Sequence, residues 1–111
     1  MKISKELVKG STVMMILTLL ERKPMYGYEM IKEIESNSNG VFTFKEGTLY
    51  PILHTLEAEG WVEAYWCEQE GARKRKYYRI TDQGKGHLEA KKKEWTTFRS
   101  ALDFVLGEGR I

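Results

Sequence analysis

Three observations predict a mainly α fold that carries one two-stranded β hairpin. Apolar residues recur at helical spacing in three short segments before residue 60. The period then changes from 3.6 to 2 between Trp61 and Thr81. A long helical pattern follows, reaching to about Leu106. At 111 residues the chain has room for one modest core and not for two.

Each element can be justified in turn. In the first helix Val13, Ile16, Leu17 and Leu20 share one face, and Met14, Met15 and Leu19 make most of the remaining circumference apolar. A helix apolar nearly all round must be covered on more than one side, by its own domain and by a second subunit or a ligand. Pro24 ends it. The second helix runs from about Tyr26 to about Glu35 with Met30, Ile31 and Ile34 inward, and the polar stretch from Ser36 to Gly40 terminates it. The third covers about Gly47 to Glu59, with Leu49, Ile52, Leu53 and Leu56 inward and Gly60 as a left-handed cap. Pro51 is placed near its start, where a missing N–H costs least, so an irregular first turn is expected.

After Gly60, Val62, Ala64 and Trp66 alternate with Glu63, Tyr65 and Cys67, the pattern of a strand. The segment from Lys76 to Thr81, rich in aromatic and β-branched residues, is its partner, and the polar, glycine-bearing stretch from Glu68 to Ala72 is the hairpin connection. Thr81 or Asp82 can cap the final helix. Three short helices, a hairpin and a long helix give the order of a winged helix-turn-helix with a two-stranded β wing. On this reading residues 1–81 form that domain, with the N-terminal helix contributing to a dimer, and residues 82–111 form a C-terminal dimerisation helix.

Bulk properties exclude more than they identify. Formal net charge is +2, from 18 basic and 16 acidic residues, so total charge does not argue for nucleic acid and its distribution has to. No apolar run approaches the roughly 20 residues of a membrane-spanning helix, and no secretory signal is expected. One cysteine, Cys67, excludes an internal disulfide and fits a reducing compartment, with the cytoplasm as the default. Two histidines, His54 and His87, without metal-ligand spacing, and no phosphate loop or nucleophile elbow, argue against an enzyme, a metal sensor or a bound cofactor.

In a winged helix the third helix enters the major groove of DNA. Its outer face here carries Thr48, Tyr50, Pro51, His54 and Thr55. The hydroxyls suit phosphate oxygens and His54 suits a base edge or a phosphate. An ordinary solvated helix face fits these residues equally well, because Arg, Asn and Gln, the common base readers, are missing from it. The hairpin favours the DNA reading: Arg73-Lys74-Arg75-Lys76 sets four cations on a β ribbon beside the reading helix, within reach of a backbone or minor groove. Lys91-Lys92-Lys93, with Glu89 and Glu94 nearby, reads instead as a solvated helical surface with local ion pairs.

On the final helix Leu88, Trp95, Phe98, Leu102 and Val105 form an apolar seam that suits pairing with a second chain or packing on the chain's own first helix. Trp95 is read either as core or, with Met15 and Phe98, as the wall of a site for a flat apolar effector. The other function class is a winged-helix protein-interaction module without sequence-specific DNA binding. Its affinity would depend little on salt.

The strings from Tyr26 to Glu29, Gly47 to Leu53, Leu56 to Val62 and Arg75 to Gly84, in that order, resemble the PadR family of bacterial transcription regulators over most of the chain. The single terminal helix is similar to the smaller subfamily to which the multidrug regulator LmrR belongs. The resemblance implies a homodimeric repressor of duplex DNA operators, with Thr48, Tyr50 and the wing from Arg73 to Lys76 facing DNA. It also implies Tyr26 as a phosphate contact and a last helix that crosses the dimer interface. In the multidrug relative a tryptophan of that helix stacks flat drugs in a central pore, and Trp95 falls at the matching place. The lysines at 91–93 depart from that pattern, being more basic than a pore for cationic drugs favours.

Overall fold

In the computed structural model, which describes residues 3–68 and 73–108, five helices and three short strands follow one another. They are α1 (Lys5–Lys9), α2 (Thr12–Arg22), β1 (Met25–Tyr26), α3 (Gly27–Asn37), α4 (Glu46–Ala58), β2 (Val62–Cys67), β3 (Arg75–Ile80) and α5 (Asp82–Val105). The three-helix, hairpin, long-helix order expected from the sequence is present as α2 to α5. Two elements are additional. α1 is a single turn and a half capped by Ser4, whose side chain accepts from the Glu6 amide. β1 is two residues long and pairs antiparallel with β3, giving a three-stranded sheet of order β1-β3-β2. The expected hairpin turn falls partly on residues 69–72, outside the described residues.

The core gathers one face of every major element. Ile16, Leu17 and Leu20 come from α2, Met30 and Ile34 from α3, and Leu49, Leu53 and Leu56 from α4; Val62, Tyr78 and Leu88 close it from the sheet and α5. α3 extends two residues past the expected end, to Asn37, and Asn39 and Gly40 then turn the chain at positive φ. α4 begins at Glu46, so Pro51 lies inside the helix and not in its first turn. The helix stays continuous, and its cost is the one N–H that Pro51 cannot donate toward Gly47, on an exposed face.

Gly60 closes α4 at φ +79°. The Trp61 amide donates to the Leu56 carbonyl and the Gly60 amide to the Glu57 carbonyl, both at 3.0 Å, the paired bonds of a Schellman motif. The same corner holds the start of α5. The Thr81 amide donates to the Trp61 carbonyl at 3.1 Å, and its hydroxyl donates to the Gly60 carbonyl at 2.6 Å while accepting from the Gly84 amide at 3.0 Å. Of the two expected caps, Thr81 is the one used. From residue 92 to the end of α5 every residue except Asp103 is exposed, so the helix runs clear of the domain that it starts in.

Candidate nucleic-acid interface

The rotation of α4 is set by Leu49, Leu53 and Leu56, which are fully buried. Thr48, Pro51, His54 and Thr55 are therefore turned outward and exposed, as the spacing implied. Thr55 donates its hydroxyl to the Pro51 carbonyl at 3.2 Å and so serves its own helix. Tyr50 is half-buried because its ring lies across the start of α3, where a Cβ on Gly27 would meet the ring at 2.8 Å. Glycine at 27 is what admits the tyrosine. Burial, and then the neighbouring Glu46 carboxylate, raise the Tyr50 pKa above the ordinary phenol value. Its hydroxyl is thus a neutral O–H donor across the physiological range.

The wing supplies the charge, and its two faces use it differently. Arg75 lies on the outer sheet face, with its guanidinium over the Tyr26 ring at 4.4 Å, and Tyr26 meets Tyr77 edge to face at 5.4 Å. Tyr26 also stands at the N-cap of α3. Lys76 lies on the other face, toward α4, with its Nζ 3.9 Å from a Glu57 oxygen and 5.7 Å from the Tyr78 ring. Arg73 and Lys74 precede β3, are exposed, and form no ion pair among the described residues. Arg75 and Lys76 thus point to opposite faces of the ribbon, and among the described residues Lys76 is the one of the four whose charge is partly offset.

A groove of about 630 Å³ lies between α4 and the wing. Tyr26, Tyr50, His54 and all four cations from Arg73 to Lys76 line it. Thr48 and Pro51 sit on the same exposed helix face but outside that lining. Four further residues join the groove without having been singled out: Tyr28, Glu46, Trp66 and Tyr78. Tyr28 was recoverable from the sequence, since the inward-facing Met30 and Ile34 lie about 160° and 120° around the helix from it. Trp66 was assigned to the face of Val62 and Ala64, which is correct, but that face outruns the core and leaves the indole 63% exposed.

A second groove, of about 710 Å³, lies between α1, α2 and α5. Trp61 and His87 stack in its wall with ring centroids 3.6 Å apart and 11° between planes, and Trp95 and Phe98 stack at 5.9 Å. Met14 lines this groove and Met15, about 100° round the helix, does not. The seam is corrected. Leu88 is 1% exposed within its own chain's core, so only Trp95, Phe98, Leu102 and Val105 face outward. Lys91 pairs with Glu94 at 3.2 Å, the local pairing expected, while Lys92 reaches across to Glu21 of α2 at 3.9 Å. Among the described residues no cluster of His, Cys, Asp or Glu is placed to hold a metal ion, and no helix is long and apolar enough to cross a membrane.

Comparison with known proteins is consistent with this geometry. The sequence pattern described as the transcriptional regulator PadR-like family matches residues 16–90. An uncharacterised protein of Lysinibacillus sphaericus is 36% identical over 104 residues, covering 94% of this chain and 95% of that one. A transcriptional regulator from Clostridium thermocellum superimposes with a TM-score of 0.83 at 31% identity, over 89% of this chain and 96% of its own. A PadR family transcriptional regulator from Eggerthella lenta does so with a TM-score of 0.81 at 33% identity, over 91% and 86%.

Proposed function

The chain belongs to the PadR-like family of transcriptional regulators, whose members are not enzymes, and from that premise we propose that it is a homodimeric repressor acting on a duplex DNA operator. The observation that carries this reading is the groove in which Tyr50 and His54 of α4 stand beside Arg73, Lys74, Arg75 and Lys76 of the wing. α4 enters the major groove, with Thr48, Pro51 and His54 outermost, and Tyr50 and Tyr26 offer hydroxyls to the flanking phosphates. The wing follows the adjacent backbone, where its cations displace counterions.

Dimerisation is assigned to α5 through Trp95, Phe98, Leu102 and Val105, which are large, apolar and exposed on one chain. Two such chains present two reading helices to half-sites one helical turn apart, about 34–36 Å. Protection by the protein of an inverted repeat upstream of its own gene or its neighbours tests the assignment. Affinity for that duplex should fall steeply with salt. Replacing Arg73 and Lys74 by alanine should make the dependence shallower by about 0.9 in log–log slope per lost phosphate contact. Intact binding after alanine substitution of Arg73, Lys74 and Lys76 together would remove the wing from the interface.

The groove beside α5 favours a second component, release of the operator by a small planar aromatic effector held against Trp95 and Phe98. Titration of tryptophan fluorescence with a diverse set of planar aromatic compounds checks it. Quenching that Trp95→Ala abolishes supports the site; no quenching across the set leaves Trp95 to packing alone.

A further inference from the structure

β2 carries a side chain that the fold does not need. Val62 pairs with Ile80 and Ala64 with Tyr78, and these four close the core. Trp66 is next on the same face, directly opposite Lys76, where the ribbon has already passed the last core residue. Tyr78 is 1% exposed, whereas Trp66, one pair further out, is 63% exposed. A large indole left in water is an unfavourable way to end a strand unless something covers it.

The setting indicates what covers it. Trp66 lines the groove that holds His54, Tyr50 and the four wing cations, against which Glu46 is the single lining carboxylate among the described residues. That balance of charge suits a polyanion and not an apolar protein surface. An indole contributes a flat apolar face and one N–H donor, and it stands on the face of the ribbon, set back from its turn. We propose that Trp66 is a DNA contact: its ring lies against the deoxyribose edge of the strand flanked by the wing, and Nε1–H donates to a phosphate oxygen. This rests on the DNA-binding reading and adds to it an uncharged, sequence-independent contact.

The distinguishing property of such a contact is that it neutralises no phosphate. Its loss lowers affinity equally at every salt concentration, whereas loss of a cation also flattens the salt dependence. The test is fluorescence anisotropy of a labelled mixed-sequence duplex of about 30 base pairs, titrated at several salt concentrations with full-length wild type, Trp66→Ala, Trp66→Phe and Lys74→Ala. Trp66→Ala should bind about 5- to 30-fold more weakly along a line parallel to wild type. Trp66→Phe, which keeps a ring and loses the N–H, should fall between the two. Lys74→Ala should give the shallower line. Because the indole is exposed, thermal unfolding of Trp66→Phe should match wild type. Wild-type affinity in both Trp66 variants overturns the proposal and leaves DNA binding standing. A shallower slope in Trp66→Ala also overturns it, since the loss would then be electrostatic. A wild-type protein that binds no duplex at all removes both this proposal and the reading beneath it.

Discussion

Gly84 and Gly86 lie two residues apart in the first turns of α5, and they face opposite constraints. A Cβ at 84 would run into the Trp61 carbonyl and come within 2.8 Å of Ile80 Cγ1, while one at 86 would meet nothing within 4 Å. Gly84→Ala should therefore destabilise the protein by about 1–3 kcal/mol, as overpacking against backbone does. Gly86→Ala should stabilise it by about 0.5–1 kcal/mol through helix propensity. Urea unfolding of the two variants, with midpoints moving in opposite directions, checks both. Thr81→Val removes the cap to Gly84 and the bond to Gly60 together, with an expected loss of about 1–2 kcal/mol in the same assay. Single residues were also where the sequence was hardest to read. Spacing placed Met14 and Met15 on the same apolar helix, but only the surrounding packing decides which of two adjacent side chains meets the groove.

At the scale of elements, legibility followed how local each element's stabilisation is. α2 to α5 were readable because each buries a stripe that repeats every three or four residues. The hairpin was readable from its alternation. β1 was not, because two residues have no period; Met25 and Tyr26 become a strand only because β3 offers them an edge at Tyr78 and Tyr77. The seam of α5 was read too far toward its N-terminus. Leu88 has the right spacing, but at that point the helix is still inside its own domain, so Leu88→Ala should cost about 2–5 kcal/mol of stability. β3 also gives the sheet a pH limit. Burial, then Glu57 and Tyr50, raise the Tyr78 pKa above the ordinary phenol value of about 10. The folded state thus holds that proton to higher pH than the unfolded chain does. Its contribution is complete below about pH 10 and is lost as pH rises through the folded value. Thermal midpoints should be insensitive to this group between pH 7 and 9 and drop above about 10, and Tyr78→Phe should blunt the drop.

The whole molecule is long for its size, with extents of 55 × 32 × 22 Å, because α5 projects from the domain. Among the described residues Val105 is left 83% exposed, and the aromatic pair Trp95 and Phe98 only partly covered. A double substitution, Phe98→Asp with Leu102→Asp, should yield a protein that sediments as a monomer while keeping its helical circular dichroism. Its affinity for an inverted-repeat duplex should fall toward that for a single half-site. Sedimentation velocity and the same anisotropy titration read the two effects separately. The geometry of the proposed dimer lay beyond the sequence, since an apolar seam suits pairing without setting the angle at which two helices cross.

That angle matters because of the corner at Thr81. One residue connects β3 to α5, and its amide and hydroxyl are bonded to the carbonyls of Trp61 and Gly60, which close α4. Wing, α4 and projecting helix thus meet at one hydrogen-bonded corner. The 24 residues of α5 form an arm of about 36 Å. In a dimer held at the far end of that arm, a scissor of about 10° would change the separation of the two α4 helices by about 6 Å, close to two base-pair steps along DNA. The protein would then work as a pair of calipers, with operator spacing as the gap between its jaws and the crossing of the two α5 helices as the screw that sets it.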